Sequence, residues 1–316
     1  MNHGERAVPD AAAFGPLAPF VVDPLVTDVF VNPDGSVWVD RGGGARREPR
    51  IRIPPGEARE LAVRLVAAGG RHLDEAAPAT DVRIGGGIRV HGVLPPVSLD
   101  AAVLSVRLPR AAHLDLDALE RDGVFARVRR SVVEDLVARR ANVLVTGAAG
   151  AGKTTLLGAL LGAAAPHERI VLVEDVAELR VDHPHVVRLE ARQPNLEGAG
   201  AVGLDRLVRE ALRMRPDRLV VGECRGAELR ELLTALNTGH DGGAGTLHAN
   251  SLADVPARLE ALGALAGLTD AALARQAISA IDAVLHLARA PDGSRTLVEV
   301  GRLRSGPRGR LAAEPA

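Results

Sequence analysis

Residues 142–161 constrain the fold of this chain more than any other stretch. A short apolar run, Asn142 to Thr146, enters Gly147-Ala148-Ala149-Gly150-Ala151-Gly152-Lys153-Thr154, and a helix-forming run continues to Leu161. A G-x-x-x-x-G-K-[ST] turn between a strand and a helix predicts a phosphate-binding loop. Main-chain N–H groups from Gly150 to Thr154 would point at phosphate oxygens, aided by the positive end of the helix. The Thr154 hydroxyl would join a Mg²⁺ shell. Lys153 is the sole lysine in a chain with 39 lysine and arginine residues in total. Arginine serves everywhere else. A compact ammonium fits between phosphates where a planar guanidinium fork is too wide.

The rest of the sequence is organised around that loop. From Ala141 onward short buried strands alternate with helices, which predicts a mainly parallel sheet covered on both faces. The predicted strands are Asn142–Thr146, Ile170–Val173, Leu219–Val221 and Ala244–His248, with a closing hairpin of Val284–Ala288 and Thr296–Val300. Between them lie helices at Thr154–Leu161, Leu204–Met214 and Ala227–Asn237, and Ser251 and Thr269 are N-cap candidates for two more. Upstream, Val26–Val31 and Ser36–Asp40 flank Asn32-Pro33-Asp34-Gly35 as a hairpin, followed by a helix at Glu57–Ala68. Strands at 81–84, 88–94 and 101–108 complete a small α+β unit. The predicted division is a loosely ordered lead-in at 1–24, an N-terminal α+β domain at 25–108 and a linker at 109–125. An α/β nucleotide-binding domain at 126–306 and a disordered tail at 307–316 follow.

Composition narrows the function. Aromatic residues are 2% of the chain and 39 basic residues balance 40 acidic ones, for a formal net charge of −1. A dedicated nucleic-acid binder would be basic and would use aromatic stacking platforms, so no direct nucleic-acid contact is expected. The single cysteine, Cys224, excludes an internal disulfide and a multi-cysteine zinc site. It reads as a buried small residue, with no base beside it to make a nucleophile. The polar start and the lack of a long uncharged apolar run predict a cytoplasmic protein.

Three further segments carry chemistry. Glu174-Asp175-Val176-Ala177-Glu178 ends the second buried strand, where ligands gather in open α/β sheets. Glu174 and Glu178 are candidates to hold Mg²⁺ or to polarise an attacking water. The third strand ends in Val220-Val221-Gly222-Glu223, a Walker B shape with glycine where many nucleotide hydrolases carry aspartate. Glu223 is then the principal acid at the metal or water, and Arg225 faces a phosphate or pairs with the acidic loop. His240 and His248 bracket the glycine-dense segment Asp241 to Leu247 and can sense phosphate or relay a hydrogen bond.

Together these segments resemble the secretion ATPase superfamily, the motor ATPases of type II and type IV secretion and of type IV pili. Gly147 to Thr155 is similar to its Walker A box, Glu174 to Leu179 to its acidic box and Leu212 to Gly226 to its Walker B region. Asn237 to Asn250 is similar to its histidine box. Arg192-Gln193-Pro194-Asn195-Leu196-Glu197-Gly198 resembles a segment of the tight-adherence (Flp) pilus assembly branch, the nearest branch on this reading. Thr27 to Asn32 and Arg89 to Pro96 resemble the N-terminal domain.

The resemblance implies a C-terminal RecA-like P-loop domain behind a smaller α+β domain, and Mg²⁺-dependent ATP hydrolysis that powers pilus assembly or protein secretion. It adds Thr155 to the nucleotide contacts and implies that Arg89 and Arg107 reach the bound phosphates. A homo-hexamer docked on polytopic inner-membrane platform proteins, at the inner face of the membrane, is implied as well. The alternatives are a conjugation-type DNA or protein transfer ATPase, a DNA-translocating ATPase, or a nucleotide-gated structural subunit with negligible turnover.

Overall fold

The computed structural model describes residues 10–108, 114–192 and 200–316. The chain divides into two compact units, Met1–Ala112 and His113–Ala316.

The first unit is built on one antiparallel sheet. Its elements are α1 (Ala18–Val22), β1 (Asp28–Val31), β2 (Ser36–Asp40), β3 (Ala45–Arg52), α2 (Pro55–Ala68), β4 (Ala79–Ile84), β5 (Ile88–Val93) and β6 (Val103–Arg107). The strand order is β3-β2-β1-β6-β5-β4. Alternation places Val29, Val31, Val37, Val39, Val90, Leu104 and Val106 in one core with Leu61, Leu65 and Val66 of α2. The lead-in differs from the sequence expectation over residues 10–24. Residues 11–17 form a 3₁₀ segment that runs into α1, and Phe14, Leu17, Phe20 and Val21 are buried in the same core. Two of the chain's four phenylalanines are spent here, which gives this short stretch enough apolar area to dock.

The second unit contains α3 (Leu116–Arg121), α4 (Arg130–Ala138), β7 (Val143–Gly147), α5 (Lys153–Gly162), β8 (Ile170–Glu174), β9 (Val186–Glu190), α6 (Leu204–Leu212) and β10 (Arg218–Val221). It continues with α7 (Glu228–Leu236), β11 (Ala244–His248), α8 (Val255–Leu265), α9 (Asp270–Ala280), β12 (Ala283–Arg289), β13 (Arg295–Ser305) and β14 (Leu311–Pro315). One sheet runs in the order β14-β13-β12-β7-β11-β10-β8-β9. The strands from β12 to β9 are parallel, and β13 and β14 extend the edge antiparallel. Helices α3, α4 and α5 cover one face, and α6 to α9 the other. This is the RecA-like arrangement expected from the strand–helix alternation. Ser251 and Thr269 cap as predicted, accepting from the N–H groups of Asp254 and Ala272.

Two boundaries move. Residues 116–125, expected in a linker, hold α3 and bury Leu116, Leu119, Val124 and Phe125 in the core of the second unit. Asp115 caps that helix through a 2.7 Å bond to the Ala118 N–H. The tail, expected to be disordered, forms β14 against β13 from Leu311↔Ser305 to Pro315↔Gly301. Leu311 is 6% exposed there. Ladder hydrogen bonds along an open sheet edge, not side-chain pattern, order these last residues. Among the described residues no helix is long and apolar enough to cross a membrane.

Candidate functional site

The carboxyl ends of β7, β8, β10 and β11 lie along one edge of the parallel sheet, and each delivers one of the predicted segments. In register, His248 of β11 pairs with Gly147 of β7, and Val173 of β8 with Val221 of β10. Lys153, Glu174, Glu223 and His248 therefore share that edge.

The loop between β7 and α5 has the backbone of an anion cradle. Gly147, Gly150 and Gly152 all take positive φ, at 151°, 72° and 96°. Gly152 is the N-cap of α5 in the left-handed region, which L side chains rarely adopt. A Cβ on it would sit 3.0 Å from the Arg295 Cδ. The Lys153 ammonium donates to the Gly147 and Ala148 carbonyls at 2.9 and 3.0 Å. Burial pulls its pKa down, and the Glu223 charge opposes that shift. Ala151 is fully buried, whereas Thr154 and Thr155 are partly exposed on the first turn. The Arg295 Nε donates to the Gly150 carbonyl at 3.0 Å, so the β12–β13 hairpin braces the loop from outside.

Glu174 is the most constrained acid at this edge. It is 2% exposed, and its Oε1 accepts from the Glu178 and Leu179 N–H groups at 2.8 Å each. Its Oε2 is buried without a hydrogen-bond partner, and burial pushes the carboxyl pKa up. A buried carboxylate with one unsatisfied oxygen is costly unless a cation or water serves it. Gly222, the glycine in the Walker B strand, explains how this carboxyl fits. A Cβ at 222 would lie 2.7 Å from the Glu174 Cγ. The neighbouring strand thus supplies an acid across the space that an aspartate at 222 would fill.

Glu223 and Arg225 follow directly. The Arg225 Nη2 pairs with the Glu223 Oε2 at 2.6 Å, and its Nη1 lies 3.5 Å from the Asp175 Oδ2. This cation joins the two acidic segments, the second of the roles expected for it. Glu228 at the start of α7 is 5% exposed and accepts from the Arg225 and Gly226 N–H groups, which fixes the turn. The Thr246 hydroxyl donates to the Gly222 carbonyl at 2.6 Å. Glu178 is exposed at the rim. Cys224 is 3% exposed with its thiol pKa pushed far up by burial, the inert small residue that the sequence suggested.

The structure separates the two histidines. His248 ends β11 beside the loop, but His240 precedes that strand and lies at the opposite end of the sheet. The His240 Nδ1 faces the Ala235 carbonyl at the end of α7, 3.3 Å away. The four residues of β11 before His248 span about 13 Å at strand rise, which keeps His240 from the phosphate loop of its own chain. Arg89 and Arg107 belong to the first unit, side by side in the β5–β6 register, and pair with Asp81 at 3.2 Å and Asp28 at 3.0 Å. Gln193 to Gly198, in the pilus-type segment, lie outside the described residues.

Sequence reasoning passed over a further polar pair. Thr146 and His286, 0% and 4% exposed, face each other on β7 and β12 with the Oγ1 and Nδ1 at 2.9 Å. The available signal was a lone histidine inside the apolar run Val284-Leu285-His286-Leu287.

The sheet order and the loop match a RecA-like P-loop domain, and the sequence comparison decides the family. Residues 10–305 match the family described as type II/IV secretion system protein. The chain belongs to that family. A Mycobacterium tuberculosis (strain H37Rv) protein, provisionally named a conjugal transfer protein, is 52% identical over 95% of this chain and 86% of its own length. The probable conjugal transfer protein TrbB of Sinorhizobium fredii is 30% identical over 90% of this chain and 86% of its own length. Type IV secretion system protein PtlH of Bordetella pertussis is 32% identical over 74% of this chain and 76% of its own length.

Solved structures of lower identity support the fold of this family member. The pilus retraction motor PilT with bound ADP superposes with a TM-score of 0.61 at 16% identity, over 97% of this chain and 82% of that one. The Legionella pneumophila ATPase DotB gives 0.58 at 19% identity, over 92% of this chain and 76% of that one.

Proposed function

We propose that this chain is a Mg²⁺-dependent ATP hydrolase that powers transfer of DNA or protein by a conjugation-type (type IV) secretion machine. The observation that carries the hydrolase reading is the convergence on one sheet edge of a glycine cradle, Lys153, a buried acid with an unpartnered oxygen, and Glu223. The cradle N–H groups and the helix end favour phosphate oxygens. Lys153 exchanges its two loop carbonyls for β- and γ-phosphate oxygens. Thr154, Glu174 and Glu223 would hold Mg²⁺, which neutralises phosphate charge when bound. Glu223 and Glu178 orient the attacking water and take its proton. Arg225, free to leave Glu223 for a phosphate, couples the two acidic segments. His248, level with Gly147, reads the terminal phosphate.

The choice of machine rests on the relatives named for conjugal transfer and type IV secretion, at up to 52% identity. Assembly of a tight-adherence pilus is the second reading, supported by the segment from Arg192 to Gly198. On either reading the chain works as a homo-hexamer on polytopic inner-membrane proteins, on the cytoplasmic face. The test of the hydrolase reading is ATP turnover by purified protein with and without Mg²⁺, compared with Lys153→Arg. Turnover that needs Mg²⁺ and is abolished in the variant is expected, and near-normal turnover in Lys153→Arg would refute the role given to the ammonium.

A further inference from the structure

The parallel ladder between β12 and β7 runs from Ala283↔Val143 to Leu287↔Gly147 and stops where β7 turns into the phosphate loop. Strand β12 goes on for two more residues, paired with β13 alone as Ala288↔Thr296 and Arg289↔Arg295. The hairpin therefore overhangs the end of β7 by about 7 Å at strand rise, level with the loop. The last pair of that register is two arginines, and both reach the loop. The Arg295 Nε donates to the Gly150 carbonyl at 3.0 Å, and the Arg295 stem lies across Gly152, where an added Cβ would meet its Cδ at 3.0 Å. A Cβ on Gly150 would stand 3.6 Å from the Arg289 Nη1. Like charges directly opposite each other weaken a strand pair, so these two arginines bring the hairpin itself no stability.

Residues 148–152 lie beyond the last ladder pairs. The Ala148 carbonyl accepts from the Ala151 N–H at 3.2 Å and from the Lys153 ammonium at 3.0 Å, and the Gly152 carbonyl from the Leu156 N–H at 2.9 Å. These bonds stay inside the loop and α5. Among the described residues, the Arg295 bond is the one hydrogen bond that ties 148–152 to another segment. Ala151 packs into the core below, whereas Ala149 and Gly150 are exposed. Gly150 sits at φ 72°, and a glycine turns over its following peptide at little steric cost. A trans peptide carries its C=O and N–H on opposite sides. With the Gly150 carbonyl held at the hairpin, the Ala151 N–H is held toward the Ala148 carbonyl, where the Lys153 ammonium also arrives. Two donors thus converge on one position, and a phosphate oxygen placed there takes both. A turned peptide would present a carbonyl to that position, which repels phosphate.

We propose that Arg295 is a positioning residue for nucleotide binding. It holds the Gly150–Ala151 peptide with its carbonyl outward, so that the Ala151 N–H and the Lys153 ammonium stay aimed at one phosphate oxygen. Arg295 acts through the Gly150 carbonyl. The role rests on the nucleotide-binding part of the reading above and does not depend on turnover.

Three replacements in the full chain separate the bond from the charge. Arg295→Gln puts an N–H donor at the place of the Nε and removes the charge. Arg295→Lys keeps the charge but has a methylene at that place, and Arg295→Met keeps neither donor nor charge. The readouts are ADP affinity by titration, KM and kcat for Mg²⁺-ATP, and Tm with and without ADP. Arg295→Lys and Arg295→Met should weaken ADP binding roughly tenfold and raise KM to match, with kcat within about threefold of wild type, because the lost binding is common to ground and transition states. Arg295→Gln exchanges a charge-assisted bond for a neutral one and should bind ADP within about threefold of wild type. Tm without nucleotide should hold in all three, and the rise on adding ADP should shrink in Arg295→Lys and Arg295→Met. Arg289→Gln removes the neighbouring charge, leaves the bond and should match Arg295→Gln. Should Arg295→Met fold poorly, the comparison of Arg295→Gln with Arg295→Lys decides alone. Recovery by Arg295→Lys with loss in Arg295→Gln would make the effect one of charge and overturn the assignment, as would equal losses in the two. Wild-type protein that fails to bind ADP would remove the nucleotide reading, and this role with it. Wild type that binds ADP beside an Arg295→Met that binds it equally removes the positioning role alone.

Discussion

At the residue scale the site is governed by who occupies whose space. Gly222 has no side chain, and Glu174 crosses from β8 into the room left beside it. The Oε1 is tied down by two N–H groups, which aims the Oε2 as an unpaired buried acceptor. A buried orphan of this kind is retained where a ligand repays it. His286, also buried, meets the Thr146 hydroxyl through its Nδ1. Burial holds its pKa below the ordinary imidazole range. The unfolded chain then takes up a proton at this site before the folded one does. The stability it contributes is complete above the unfolded value and is lost as pH falls through the folded one. His286→Gln, which cannot titrate, should therefore gain on wild type in Tm as pH is lowered from about 7.5 to about 5. Thermal melts across that range check this, and a Tm difference independent of pH would count against it.

At the element scale, backbone and burial decide what pattern alone does not. The segment before β1 reads as Ala-, Pro- and Gly-rich, yet Phe14, Leu17, Phe20 and Val21 are spaced to dock on one core. Phe14 is fully buried, so Phe14→Ala should cost about 3–5 kcal/mol of unfolding free energy. Urea unfolding would measure it, and a loss under about 1 kcal/mol would mean that the segment does not pack as described. The tail teaches a different lesson. Leu311 is the one large apolar residue of β14, and its ordering comes from the ladder on β13. Strand β9 differs: three of its five residues are apolar and pack on the core, yet it lies half-exposed at the parallel edge of the sheet. By contrast, β7, β8 and β10 were legible because strands buried on both faces read as continuous apolar runs.

At the scale of the whole molecule, the first unit has its own apolar core, the second has one on each face of its sheet, and the α/β unit carries the candidate nucleotide site. His240, which the sequence grouped with His248, lies at the far end of the sheet within its own chain. A turn four residues upstream of a strand belongs to the amino end of that strand, and proximity in sequence hides this. The motor reading makes a claim about assembly. Mass photometry at micromolar protein should show hexamers that increase when Mg²⁺-ATP is added. A strictly monomeric protein under those conditions would undermine the motor, although not the nucleotide site.

What the sequence determined by itself was local chemistry and layer order. The glycine spacing, the lone lysine, the buried apolar strands between helices and the two caps at Ser251 and Thr269 are set by backbone sterics, hydrogen bonding and periodicity over a few residues. Tertiary structure alone decided which separated groups meet. It joined Glu174 to the space at Gly222, Thr146 to His286, Arg295 to the phosphate loop and β14 to β13, and it kept His240 away. Such meetings depend on strand order and register, which arise when whole layers pack to exclude water.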